Sequence, residues 1–150
     1  MNEIKDMIFF LMQKGLIIKP HNIDILVEEY HRLLFDRIHG LSNIVQIVCY
    51  KTGVKESQLI EKTRKREIVQ SRQISMYFMK KYTKLSLQSI GDYFYNPLIH
   101  HVYDHATVLH ALTTVNNLIE TDKFYKSMVD DIERNIKIKL DVKSEALQKN

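Results

Sequence analysis

Apolar residues recur along this chain at the three- and four-residue spacing of helices, and small polar residues, Gly and Pro punctuate them. Residues 3–14 predict a first helix, stopped near Gly15 and broken by Pro20. Asn22 can cap a second over 23–39, where Leu26, Leu33, Leu34 and Ile38 join Tyr30 in one stripe, and Gly40 ends it. Ser42 is the expected cap of a third, running through Cys49 to Thr52 and halted by Gly53 in a left-handed conformation. A long helix over 67–82 sets Ile68, Ile74, Phe78 and Tyr82 on one face with Ser71 and Ser75 between them, small enough to admit a close neighbour. Val69 and Met76 fall on its other side, so that helix reads as sandwiched. Ser86 caps a short helix over 87–94 that turns Leu87, Ile90 and Phe94 inward. Asp104 starts another, its carboxylate placed to accept from the free N–H of residue 107, with Val108, Ala111, Leu112, Val115 and Ile119 on the buried side. Thr121 is the expected cap of a last helix over 122–140 with Phe124, Met128, Ile132 and Ile136 as its stripe, and 141–150 reads as a frayed polar tail.

The helix beginning at Asp104 has two unlike ends. Its body is apolar on one side, whereas its first turn presents His105, Ala106, Thr107 and His110 on the other. A recognition helix meets the major groove in this way, its first residues at base edges and the rest packed on the domain.

Three stretches resemble one family. Asp104-His105-x-Thr107-Val108-Leu109-His110-Ala111 is similar to the Asp-His-Thr-Thr-Val-x-His-Ala signature of the C-terminal DNA-binding domain of DnaA, the bacterial replication initiator. Leu59 to Tyr77 resembles that domain's basic loop and long central helix. Leu85-Ser86-Leu87-x-x-Ile90-Gly91-x-x-Phe94 resembles the first helix of its DNA-binding motif. The resemblance covers roughly residues 42–140, and nothing comparable stands out in 1–41. It implies an all-α fold of the Trp-repressor-like helix-turn-helix type, here with an N-terminal helical extension: 1–41 the extension, 42–140 the DNA-binding domain, 141–150 the tail. Val54 to Leu59 then takes the place of the family's short second helix.

The resemblance also assigns roles to residues. Arg64, in the basic run Lys62-Thr63-Arg64-Lys65-Arg66, matches the arginine that enters the minor groove, where narrow A·T-rich DNA concentrates negative potential. Asp104 would accept from a cytosine amino group, and His105 and Ala106 would meet base edges or a thymine methyl. Lys62, Arg66, Arg72, Lys80, Gln88, Thr107 and His110 would hold the DNA backbone, which fixes register rather than sequence. Three departures qualify this pattern. Thr63 replaces a residue that is often basic, and Ala106 replaces a threonine, keeping a methyl but losing a hydroxyl. Residues 95–103 form a connection six residues longer than the family's Gly-Gly-Arg turn, with both glycines gone and Tyr103 in the arginine's place. A longer turn alters the bracing of the two helices and offers Tyr, Asn and His as further base or phosphate contacts.

Composition adjusts the picture only a little. The 150 residues suffice for one buried core, and 45% hydrophobic against 27% charged excludes a disordered chain. A net charge of +4 suits a polyanionic partner, double-stranded DNA, but many proteins that bind no DNA are as basic. Cys49 is the sole cysteine, so an internal disulfide or a cysteine-based zinc cage is excluded, and its apolar surroundings in sequence read as core. His100, His101, Asp104, His105 and His110 are ligand types in one stretch, yet His105 and His110 stand five apart and diverge around a helix, so no metal is expected. No Gly-x-x-x-x-Gly-Lys-Ser/Thr loop occurs, and the chain has no room for the initiator's ATPase module, so no nucleotide, other cofactor or enzymatic activity is expected. The apolar run 7–12 is too short to span a bilayer, which leaves a cytoplasmic protein at the nucleoid. Residues 1–41 serve either as a helical cap on the core or as a surface for self-association or a protein partner. The competing reading of the whole chain is a protein-interaction module that kept the fold and lost DNA binding.

Overall fold

Contacts divide the chain into two units, residues 1–40 and residues 41–150. The structure, a computed structural model, describes residues 40–148, with side chains described as far as Leu140. The helices expected over 3–14 and 23–39, and the docking role expected of 1–41, lie outside the described residues.

The described residues are helical, in the order α1 (40–52), α2 (Glu56–Leu59), α3 (Arg66–Tyr82), α4 (Leu87–Tyr93), α5 (His105–Thr121) and α6 (Lys123–Gln148). The fold is all-α, as the spacing of apolar residues predicts. Helix α3 is its centre and packs against α2, α4 and α5, while α5 also packs against α4 and α6. Burial around α3 is broad: Ile68, Ile74, Phe78 and Met79 are buried along one side, and Met76 is buried beyond the edge of that stripe. Ser71 and Ser75 are buried too, and their hydroxyls donate back to the Glu67 and Ser71 carbonyls at 2.7 and 2.9 Å. A short side chain whose one donor is satisfied within its own helix can be enclosed without an orphaned polar group. Around α3 the core gathers Ile44 and Val48 of α1, Leu59, Ile90, Phe94, Val108, Val115, Ile132 and Ile136.

Caps and a glycine stop mark several of the boundaries. Gly53 ends α1 at φ +73°, with its N–H on the Cys49 carbonyl at 2.9 Å. Ser86 Oγ accepts from the Ser89 N–H at the start of α4. Four details depart from the sequence reading. Ser42 lies inside α1, which already includes residue 40, so Ser42 caps nothing and Gly40 is not a stop. Its hydroxyl instead accepts from Gln46 one turn on. Thr121 is the last residue of α5, and Asp122 is the one that caps α6, its Oδ1 accepting from the N–H groups of Phe124 and Tyr125 at 2.9 and 3.0 Å. The buried stripe of α6 is accordingly Tyr125, Val129, Ile132 and Ile136, spaced by fours and threes, and Phe124 stands 90% exposed. Finally, α6 continues to Gln148, where a frayed tail was expected after residue 140.

No helix among the described residues is long and apolar enough to cross a membrane.

Candidate nucleic-acid interface

Helix α5 begins with a carboxylate that has two hydrogen bonds on one oxygen. Asp104 Oδ1 accepts from the Thr107 backbone N–H at 2.8 Å and from the Thr107 hydroxyl at 2.7 Å. These two bonds, aided by nearby His105, hold the carboxyl below the usual carboxylate range. One oxygen caps the helix, and Oδ2 has no protein partner among the described residues. His105, Ala106, Thr107 and His110 are all exposed, while Val108, Ala111 and Val115 of the same helix are buried. The first turn therefore carries short polar side chains on a rigid, buried support.

The basic loop 60–65 lies between α2 and α3. Lys62, Arg64, Lys65 and Arg66 are exposed, and among the described residues none pairs with a carboxylate. What shapes the loop is a set of three consecutive carbonyls. Arg72 Nε donates to Leu59 O at 2.6 Å and Arg72 Nη2 to Glu61 O at 2.7 Å, and between them Asn96 Nδ2 donates to Ile60 O at 3.0 Å. These oxygens follow the C-terminal end of α2, where helical carbonyls lack partners, and a guanidinium there also meets the negative end of the helix.

Arg72 thus departs from the phosphate contact expected of it. It is buried, with its guanidinium 4.8 Å from the centre of the Tyr103 ring. Burial lowers its pKa, and Tyr103 and Glu61 act against that shift. Two other expected backbone contacts are also engaged within the protein: Lys80 Nζ donates to Leu85 O at 3.0 Å, and Gln88 Nε2 to Asp92 Oδ1 at 2.9 Å. Both side chains lie at the surface, and each bond joins near neighbours in sequence.

The long connection 95–103 is an ordered turn. Asn96 and His101 exchange both backbone hydrogen bonds, at 2.9 and 3.2 Å. Asn96 Oδ1 accepts from the Leu98 N–H at 3.0 Å, which folds the chain back after Pro97. His100 takes φ +48°, and its Nδ1 lies 2.8 Å from the Tyr95 hydroxyl. His101 meets the Tyr103 ring edge to face at 4.6 Å. The turn leaves its apolar tip bare: Leu98 is 89% and Ile99 51% exposed. It closes against α4 at Gly91, where a β-carbon would stand 2.0 Å from the Tyr103 carbonyl oxygen. No group of three His, Cys, Asp or Glu side chains among the described residues is gathered as a metal site would need.

Sequence reasoning overlooked two features of this arrangement. Asn96 anchors the turn to the basic loop, and only the Asn-Pro pair hinted that a turn begins there. Leu98 and Ile99 form a bare tip, which no periodicity marks in so short a stretch.

The sequence of these elements matches a known family. Residues 41–115 match the family model described as bacterial dnaA protein helix-turn-helix. The chain is 50% identical over 80 residues to the chromosomal replication initiator protein DnaA of Flavobacterium psychrophilum, a stretch that is 53% of this chain and 16% of that protein. It is 33% identical over 140 residues to the DnaA of Bacteroides thetaiotaomicron, covering 91% of this chain and 28% of the relative, and 39% identical over 97 residues to that of Bacteroides fragilis, covering 65% and 19%. The chain thus spans less than a third of the length of these relatives. A match over 91% of the chain must reach into the first forty residues, so the likeness is wider than the 42–140 read from motifs. With a matching segment that runs from α1 through α4 and most of α5, the chain belongs to the bacterial DnaA helix-turn-helix family.

Proposed function

We propose that this chain binds double-stranded DNA at sites of the DnaA-box type, in the initiation of replication or its regulation. The observation that carries the reading is the two-sided first turn of α5. Asp104, His105, Ala106, Thr107 and His110 are exposed together on a helix whose other side is buried in the core. With α5 in the major groove, Asp104 Oδ2 accepts from a cytosine amino group, and His105 and the Ala106 methyl meet neighbouring base edges. The exposed cations of the basic loop supply the second contact. Arg64 enters the adjacent minor groove, and Lys62 and Arg66 hold the phosphates beside it. Thr107 and His110 add backbone contacts from α5, and Gln88 and Lys80 from α4 and the end of α3. Arg72 acts one step behind the interface, as the residue that sets the loop's shape. Residues 42–140 form the DNA-binding domain, and residues 1–41 offer a surface for a partner protein or a second copy. The role is recognition at the nucleoid, with no reaction catalysed by these residues.

Binding of the 150-residue chain to a duplex carrying a DnaA box, against a scrambled duplex, over a salt series tests this. Four cations on DNA (Lys62, Arg64, Arg66 and Lys80) predict that log K falls with a slope of about −3.6 against log salt. Preference for the box should disappear in Arg64→Ala and in Asp104→Ala. Equal affinity for both duplexes would restrict the interface to backbone contacts. No binding at low salt would overturn the reading and leave the fold as a protein-interaction module.

A further inference from the structure

The turn 95–103 stands between the two elements assigned to the grooves. Its first residue of pairing, Asn96, is bonded to the Ile60 carbonyl at the entrance of the basic loop. Its last, Tyr103, adjoins the cap of α5 and packs on the guanidinium that holds the same loop. Neither end can swing away from the interface, and the tip Pro97-Leu98-Ile99 is held by the Asn96–His101 pairing and the Asn96–Leu98 bond. From Tyr93 to Tyr103 there is no acidic residue, so nothing in the turn repels a phosphate backbone. Leu98 and Ile99 are bare, and the backbone that carries them is held by hydrogen bonds within the turn, which lowers the ordering cost of a contact.

From this we propose that the turn is a third DNA-contacting element, which lays Leu98 and Ile99 against the minor groove beside the site of Arg64. Apolar side chains in that position press on sugar faces or wedge between base steps. The contact falls just outside the bases read by α5, and lengthens the footprint on the side of the basic loop. The inference rests on the DNA-binding reading above and adds to it a contact from the connection 95–103.

The test uses the whole chain, a long duplex with the box at its centre, and hydroxyl-radical footprinting, which reports on the minor groove. Leu98→Ser combined with Ile99→Ser changes two exposed side chains, so an unaltered melting temperature checks that the fold is intact. The double variant is expected to bind about tenfold more weakly, the scale of one lost base contact. It should lose protection next to the Arg64 segment while keeping the wild-type salt slope, because no charge has been removed. Arg64→Ala, in contrast, should lower the slope. Wild-type affinity and an unchanged footprint in the double variant would overturn the proposal and leave the DNA-binding reading standing. Failure of the wild-type chain itself to bind the duplex at low salt would overturn both, and would point to a protein partner for the bare tip.

Discussion

Gly91→Ala is the substitution for which two general effects oppose each other most plainly. Gly91 lies within α4, so alanine would ordinarily stabilise the helix by about 1 kcal/mol. Yet a β-carbon at this position would stand 2.0 Å from the Tyr103 carbonyl oxygen and 3.0 Å from its carbon, where ordinary contact begins at 3.4 Å. The obstacle is backbone, which cannot turn aside as a side chain would. Relief requires that Tyr103 retreat by more than an ångström, and Tyr103 packs on Arg72 and leads directly into the Asp104 cap. Overpacking of a tight site costs about 1–3 kcal/mol, and a rigid obstacle lies at the upper end. The net expectation is a loss of about 2 kcal/mol, which for a domain of this size lowers the melting temperature by roughly 8 °C. Far-UV circular dichroism on heating measures this. Because the shift displaces the start of α5, box affinity per folded molecule should fall as well. A melting temperature equal to or above the wild type would show that helix propensity dominates and that the Gly91–Tyr103 approach does not brace α5. Lower stability with unchanged affinity would separate the brace from the interface.

Three further outcomes follow from other residues. Arg72→Ala removes the donors of two loop carbonyls and is expected to cost about 3 kcal/mol in denaturant unfolding; Arg72→Lys, which cannot reach both oxygens, should recover only part of it. The Asp104 carboxyl is held below its ordinary range by Thr107, so its contribution to stability is present above the unfolded-state pKa and is lost as pH falls through the lower folded value. Asp104→Asn keeps an N-cap and should flatten that acid limb, while weakening box binding about tenfold, the scale of one lost base contact. Burial, and then Glu56, push the Cys49 thiol up to about 11. Native protein should therefore resist iodoacetamide near neutral pH and react promptly once unfolded, and rapid labelling of the native chain would contradict the burial.

The parts of this molecule that obey a period were legible from its residues. Helices α3 and α4 fall within a residue of their expected bounds, and α5 begins at the expected cap, because each carries a regular apolar stripe. The error in α6 has a definite origin. Thr121 and Asp122 are both plausible caps, and a shift of one residue between them rotates the stripe from Phe124 and Met128 to Tyr125 and Val129. The exposed half of the candidate interface was legible for the same reason as α5 itself. Arg72 was not, since a lone arginine on a helix gives no sign of whether it faces solvent or a pair of distant carbonyls. The turn 95–103 was visible as an excess of residues, but its form depends on the Asn96–Ile60 bond across 36 positions of sequence. No local pattern reports such a bond.

That bond links two segments in their tolerance of change. Ile60 O lies between two oxygens held by Arg72, and its own donor is supplied by the very connection that is longer than the family's turn. Trimming that takes Asn96 out of the connection would leave the Ile60 carbonyl in the basic loop without that donor. Grafting the connection onto a loop of different shape would leave the asparagine amide without its acceptor. Single-step exchange of either segment with a relative passes through a weakened intermediate, whereas exchange of both together need not. Chimaeras built by swapping the loop, the turn, or both should therefore be non-additive, and the double swap more stable than the sum of the two single swaps predicts. The connection 95–103 is thus coupled to the loop 60–65, separated from it in sequence and joined to it in space.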